Sequence, residues 1–314
     1  MIADLITVAI VVNVLAAVIR ISTPLLLAAL GELITEHSGI MNLGLEGTML
    51  SSAFIGFFIT EQTDSIFFGI VVACLTGVIM NLLLGFFAIT LKIDQTITGL
   101  AINLLASGIT LFWFRTAYLQ RTMAETPLIK VLPGINIPFL REIPYLGDIL
   151  FSQNIITYIA FLIIPVIWFF LYRTMLGLRL RSLGEDPQVA DMAGIKVSSL
   201  RYLAVALGGS LVGLSGAFVS IGSVERFFPD MTAGRGWLAF VIVIAGNWKP
   251  GRILLATLIF AFLDAFQLQA QGVGIQIPYQ ILLGLPYVVA ILAMILGRAR
   301  SKSPEALGVA YERE

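Results

Sequence analysis

Apolar positions along the chain gather into unbroken runs rather than the spaced stripes of a surface helix. They fall at about 4–20, 23–35, 45–60, 66–91, 96–114, 153–172, 201–222, 236–247, 253–270 and 279–297. A stretch that stays apolar on every face for roughly 20 residues has the length to cross a bilayer as a helix. Three of these runs, 23–35, 45–60 and 236–247, are too short to span unaided. Short, Gly-interrupted segments in matching positions of two halves point to a transport site. The pattern predicts an all-α polytopic membrane protein of about ten (8–10) transmembrane segments, with two Gly-rich broken-helix regions arranged as an inverted repeat.

The interruptions matter as much as the runs. Every backbone polar group must be paired in hydrocarbon, so irregular chain at membrane depth survives only against protein or beside a wet cavity. Residues 36–44 form one such break. The stretch SGIMNLGLEGTMLSSAFIG there is echoed by DMTAGRGWLAFVIVIAG in the second half, each a Gly-rich break followed by a short apolar run. Lys and Arg near segment ends set orientation. The richest cluster, Arg173, Arg179, Arg181, Lys196 and Arg201, and the tail with Arg298, Arg300, Lys302 and Arg313, belong in the cytoplasm. Counted back through ten crossings, the N-terminus is also inside, with twelve basic residues on that side against seven outside. If 4–35 is one kinked helix, the N-terminus moves outside. Asp4 and the lack of any basic residue before Arg20 argue against a cleaved signal peptide and for a retained first helix.

Composition narrows the class. The chain of 314 residues is 58% hydrophobic and 12% charged, with mean hydropathy +0.96, against roughly 25% charged in soluble domains. A formal net charge of zero gives no reason to expect a nucleic-acid partner. One cysteine, Cys74, and one histidine, His37, exclude an intrachain disulfide and leave no metal-ligand set. There is no GxxxxGK[ST] phosphate loop, GxSxG elbow or CxxC pair. The chain is not expected to be an enzyme, to need a cofactor or to bind ATP itself.

Two sets of residues carry candidate chemistry. In the basic loop, Asp186 is placed to cap a helix, Pro187 to occupy its first position and Gly194 to end it in the left-handed conformation. Val189, Met192 and Ala193 then share one apolar face, next to Glu185, suited to a groove on another protein. Deep in the last third, Asp264 shares a face with Gln267 and Gln271, and an ionisable group at that depth is by default functional. Asn42, Glu46, Asn81, Asn103 and Ser107 complete a set of hydrogen-bonding groups that suits a polar solute. Glu32 and Glu46 flank the first break and are expected to cap the half-helices there. Residues 115–152, with Pro127, Pro133, Gly134, Pro138 and Pro144, form a long external connection.

Gly31-Glu32 and Ser38-Gly39-Ile40-Met41-Asn42-Leu43-Gly44-Leu45-Glu46-Gly47 resemble the signature of permease subunits of ABC importers of the branched-chain amino acid, ribose and nucleoside class, nearest the nucleoside or simple-sugar permeases. Arg201-Tyr202-Leu203-Ala204 after the capped helix adds to the likeness, which covers nearly the whole chain. It implies a single permease domain at 1–300 with a coupling loop at 173–200, and a cytoplasmic tail at 301–314. It further implies that Glu185, Asp186, Pro187, Val189, Met192, Ala193 and Gly194 meet an ATPase subunit with two nucleotide-binding domains. A second homologous permease making a heterodimer, an external substrate-binding lipoprotein and alternating access complete the implied system. From the residues alone, two other readings stay open. One is an ion-gradient-driven transporter or channel using Asp264, and the other is a non-transporting scaffold.

Overall fold

The computed structural model of the chain describes residues 2–118, 127–135, 141, 143–272, 279–297 and 302–312. The first two apolar runs are one helix, α1, Ile2–His37. Pro24 withholds the N–H that would pair with the Arg20 carbonyl, yet the helix continues. Ser22 and Thr23 turn their hydroxyls onto the Ile19 carbonyl at 2.8 and 3.0 Å, and Ser215 donates to the Pro24 carbonyl at 2.7 Å. The expected split between 4–20 and 23–35 is therefore corrected, and the ten-crossing count loses the crossing that rested on it. The kinked-helix alternative is the one the chain adopts. His37 lies within helix α1 and is 8% exposed.

The remaining runs become helices close to their expected bounds. They are α2 Leu45–Thr63, α3 Ile66–Gly85 with a π-helical turn Phe86–Thr90, and α4 Gln95–Tyr118. Next come the short α5 Leu146–Leu150, α6 Ile155–Arg173, α7 Met175–Glu185 and α8 Pro187–Met192. The chain ends in α9 Val197–Ala217 with a π-helical turn Phe218–Gly222, α10 Arg235–Ala245, α11 Pro250–Gly272 and α12 Tyr279–Gly297. No strand occurs among the described residues, only an isolated bridge between Gly134 and Asn154. Six helical stretches, at 10–37, 66–90, 95–118, 155–173, 197–222 and 250–270, are long and apolar enough to cross a membrane.

Helix α9 is the hub, packed on α1, α2 and α3. Glycines let the backbones touch: a Cβ on Gly208 would lie 2.6 Å from the Gly31 carbonyl oxygen, and one on Gly77 2.2 Å from that of Gly209. Small residues at such crossings are how apolar helices gain contact when lipid is as apolar as they are. The fold has two distinct ends. At one, the ends of α1 and α7, Trp248 and residues 302–308 come together, as the Ala306 N–H donates to the Gly184 carbonyl at 2.8 Å and Lys302 N–H to Asn247 at 2.9 Å. At the other, residues 129–132 lie on 221–225, with Ile129 and Leu132 donating to the carbonyls of Glu225 and Ile221 at 3.0 Å each.

Candidate functional site

Two stretches leave helical geometry between apolar helices, 38–44 before α2 and 223–234 before α10. The first is held almost wholly by buried side chains. Gly39 takes φ +85°, which a side chain would strain, and the Arg201 Nε–H donates to the Ser38 carbonyl at 3.1 Å. The Asn42 N–H donates to Glu32 at 2.8 Å, its side-chain amide donates to the Asn81 carbonyl oxygen at 3.0 Å, and its own carbonyl oxygen accepts from the Gly44 N–H at 2.8 Å. Asn81 also accepts from Thr48 at 3.2 Å and donates to the Val205 carbonyl at 3.3 Å. Asn103 clamps the exit of the turn, accepting from the Gly47 N–H at 2.7 Å and donating to the Leu43 carbonyl at 2.8 Å. These contacts satisfy backbone groups that buried irregular chain leaves orphaned.

Glu46 ties the first stretch to the second. Its carboxylate accepts from the Thr232 hydroxyl at 2.6 Å and from the N–H groups of Gly234 and Gly236 at 2.9 and 2.7 Å. The expectation that Glu46 caps its own half-helix is corrected: it closes the start of α10, where free N–H groups and the helix dipole favour an anion. Gly236 is required there, since a Cβ would sit 2.4 Å from the Glu46 nitrogen. Glu32 likewise serves the returning chain, through Asn42, rather than a helix start. Asn103 lies about 12 Å along α4 from Gln95 at 1.5 Å per residue, so this junction is well inside the helical bundle.

Further polar groups surround the junction. The Ser107 hydroxyl donates to Asp230 at 3.4 Å. Arg235, anchored on the Met231 and Thr232 carbonyls at 3.1 and 3.2 Å, lies within electrostatic reach of Asp264 and Tyr287, as Glu46 does of Tyr287. Asp264 is half-buried, Gln267 is buried, and the Gln271 side chain lies outside the described residues. A cavity of about 500 Å³ opens beside the second stretch, lined by Arg20, Pro24, Phe218, Phe228, Met231 and Arg235. Of the eight candidate pathway residues, Asn42, Asn81 and Asn103 brace the first stretch and Glu46 and Ser107 bond the second. Asp264 lies within reach of Arg235 just past it, Gln267 is buried further along α11, and the Gln271 side chain lies outside the described residues.

At the other pole, α8 has the features read from the sequence. Asp186 caps it, accepting from the N–H groups of Gln188 and Val189 at 2.9 and 3.0 Å, with Pro187 in the first turn. Gly194 takes φ +81° and donates to the Asp191 carbonyl at 2.8 Å. Ala190 is buried under the helix, whereas Val189 and Met192 are 54% and 81% exposed and Ala193 is exposed. Glu185 closes α7 just before it. Sequence reasoning missed the buried contact of Trp248 Nε1–H with Glu36, the Arg201 bond to Ser38, and the docking of residues 302–312. Only a charge at the edge of an apolar run signalled Glu36, and nothing local signalled the others.

A bundle of helices long and apolar enough to cross a membrane, with polar groups converging on two irregular stretches and a capped helix at one pole, has the form of a membrane transport subunit. Residues 14–297 match the family described as the branched-chain amino acid transport system / permease component, and the chain belongs to it. It is 36% identical to TsgC13 of Haloferax volcanii, provisionally named a glucose ABC transporter permease protein, over 96% of this chain and 98% of that one. It is 34% identical to the guanosine ABC transporter permease protein NupQ of Bacillus subtilis, over 95% and 96% of the two chains. The nucleoside ABC transporter permease protein NupC of Lactococcus lactis is 31% identical over 95% and 96%. The same two bacteria hold more distant relatives, NupP and NupB, at 24% and 23% identity over 77% of this chain. No solved structure matches the chain. The protein is integral to the membrane.

Proposed function

We propose that this chain is a permease subunit of an ATP-driven ABC importer, working beside a second permease and carrying nucleosides or similar small polar solutes by alternating access. The observation that carries the reading is α8: a capped helix with Val189 and Met192 exposed, on the side of the fold where the basic loop lies. An apolar face of this kind fits a groove on the ATPase subunit that supplies the energy. NupQ and NupP, and NupC and NupB, are each named as permeases of one solute class in one organism, which favours a heterodimer. A substrate-binding lipoprotein outside the cell completes the system. On this reading the stretches at 38–44 and 223–234 are the broken-helix elements of the pathway. Glu46, Ser107 and Asp264 face the solute, with Gln267 and Gln271 further along the same helix.

The test is purification of the tagged chain from its native membrane in mild detergent, with mass spectrometry of what comes with it. An ATPase and a second permease in fixed ratio are expected. A chain that arrives alone and still transports solute until a protonophore is added would sink the proposal in favour of ion-gradient transport.

A further inference from the structure

Residues 302–312 mix polar and apolar side chains without a helical or strand period. They nevertheless touch the docking region, the first irregular stretch and the start of α11 within eleven residues. The Lys302 N–H donates to Asn247 at 2.9 Å, just ahead of α11. Pro304 lies under α7, where a Cβ on Gly184 would come within 3.1 Å of its side chain, and Ala306 N–H holds the Gly184 carbonyl at 2.8 Å. Two residues on, the Gly308 N–H donates to the Gly39 carbonyl at 3.1 Å, and Gly308 takes φ +79°, a conformation that turns the chain here. Tyr311 packs on the cluster of Leu183, Ala190 and Val197, which joins α7, α8 and the start of α9. Glu312 pairs with Lys92 at 3.0 Å on the surface between α3 and α4.

The arrangement has a mechanical meaning. The turn at Gly39 is reached from α9 through Arg201, which donates to the Ser38 carbonyl, and from the end of α7, where the Leu183 carbonyl oxygen lies 3.3 Å from where a Gly39 Cβ would be. The terminal segment supplies a further tie, with Tyr311 on the cluster that joins α7, α8 and α9 and the Gly308 N–H on the carbonyl of Gly39. Ala306 is buried, and its carbonyl oxygen lies 3.2 Å from where a Gly39 Cβ would be, so the two segments are closely packed. The exposed Lys92–Glu312 pair contributes little, because solvent screens surface ion pairs. The backbone bonds and Tyr311 set the register.

We infer that residues 302–312 are a positioning element for energy coupling, transmitting displacement of α8 to the 38–44 stretch. The inference rests on the proposed ATPase docking at α8. ATP binding by the partner moves α8, Tyr311 follows through the cluster of Leu183, Ala190 and Val197, and the strap shifts Gly39 and the turn that Asn42 and Glu46 anchor.

The test needs no knowledge of the solute. Met41 is half-buried in the moving stretch, and Cys74→Ser leaves the chain free of cysteine, so Met41→Cys gives a single thiol whose maleimide labelling rate reports that stretch. The complex with its ATPase and second permease is purified in nanodiscs, with and without ATP plus vanadate. The full-length chain should show at least a fivefold change in labelling rate on nucleotide trapping. A chain ending at Ser303, and separately Tyr311→Ala, should lose that change while the complex still hydrolyses ATP. If the change persists in Tyr311→Ala and in the shortened chain, or never occurs in the full-length complex, the strap does not couple. Should the shortened chain fail to assemble, Tyr311→Ala alone decides by the same readout. Absence of any co-purifying ATPase would instead refute the docking reading on which the inference rests, before a variant is made.

Discussion

Replacing Glu46 by Gln asks how firmly the two irregular stretches are joined. The carboxylate accepts three hydrogen bonds, from Thr232 at 2.6 Å, Gly234 at 2.9 Å and Gly236 at 2.7 Å, with both oxygens in use. Glutamine keeps the shape and one acceptor, but its amide nitrogen faces a backbone N–H as a second donor. At least one N–H is then left unpaired, at about 1–3 kcal/mol. The start of α10 also loses an anion worth about 0.3–2 kcal/mol. Together about 1–5 kcal/mol should be lost, and at roughly 2 °C per kcal/mol for a chain of this size the purified complex should melt about 2–10 °C lower. Thermal unfolding followed by size exclusion, at fixed detergent and lipid, measures this. Glu46→Ala, which removes all three acceptors, should fall further. Both variants melting within 1 °C of the parent would refute the idea that this carboxylate holds α10 in place.

Met192→Asp should leave folding intact, because the side chain is 81% exposed, while lowering solute uptake at least tenfold in whole cells. Unchanged uptake would remove α8 from the coupling path. Asp264→Leu should keep assembly with the partner subunits and raise the half-saturating solute concentration or lower the maximal rate, and parental kinetics would assign Asp264 to internal packing. Gly77→Val forces a branched side chain against the Gly209 carbonyl, where even a Cβ would lie 2.2 Å away, so membrane yield should collapse. Gly251→Ala, which meets nothing within 4 Å, is the matched control and should express normally.

Much of this architecture was legible as a pattern because burial in lipid leaves long apolar runs, and those runs became helices within a few residues. The capped helix was legible because Asp186, Pro187 and Gly194 act on their own backbone, within a turn or two. Continuity of α1 was not, because Pro24 usually ends a helix and part of the packing around it comes from Ser215, 191 residues away, whose hydroxyl bonds the Pro24 carbonyl. The partner of Glu46 was hidden for the same reason, since Gly234 and Gly236 lie across the fold. Asn42 and Asn103 read as pathway candidates, because an amide carries no sign of whether its partner is a guest or the chain's own backbone. Residues 301–314 read as a cytoplasmic tail, and the bonds that place 302–308 are made by backbone N–H groups, which no side-chain pattern announces.

The glycine crossings of α9 have one more consequence. Gly208, Gly209 and Gly213 press backbone on backbone against α1 and α3 near the middle of a helix that begins just after α8 and ends at Gly222. Such contacts have no side chains to flex, and on the proposed docking at α8 they serve as a fulcrum. Val197 lies about 18 Å from Gly209 on one arm and Gly222 about 20 Å on the other, at 1.5 Å per residue. A lever with equal arms returns motion of the docking end as motion of similar size and opposite sense at the outer end. Spin labels at Ser198 and Ser223 should report displacements in a ratio of about 1:1 on nucleotide binding, as the arm lengths dictate.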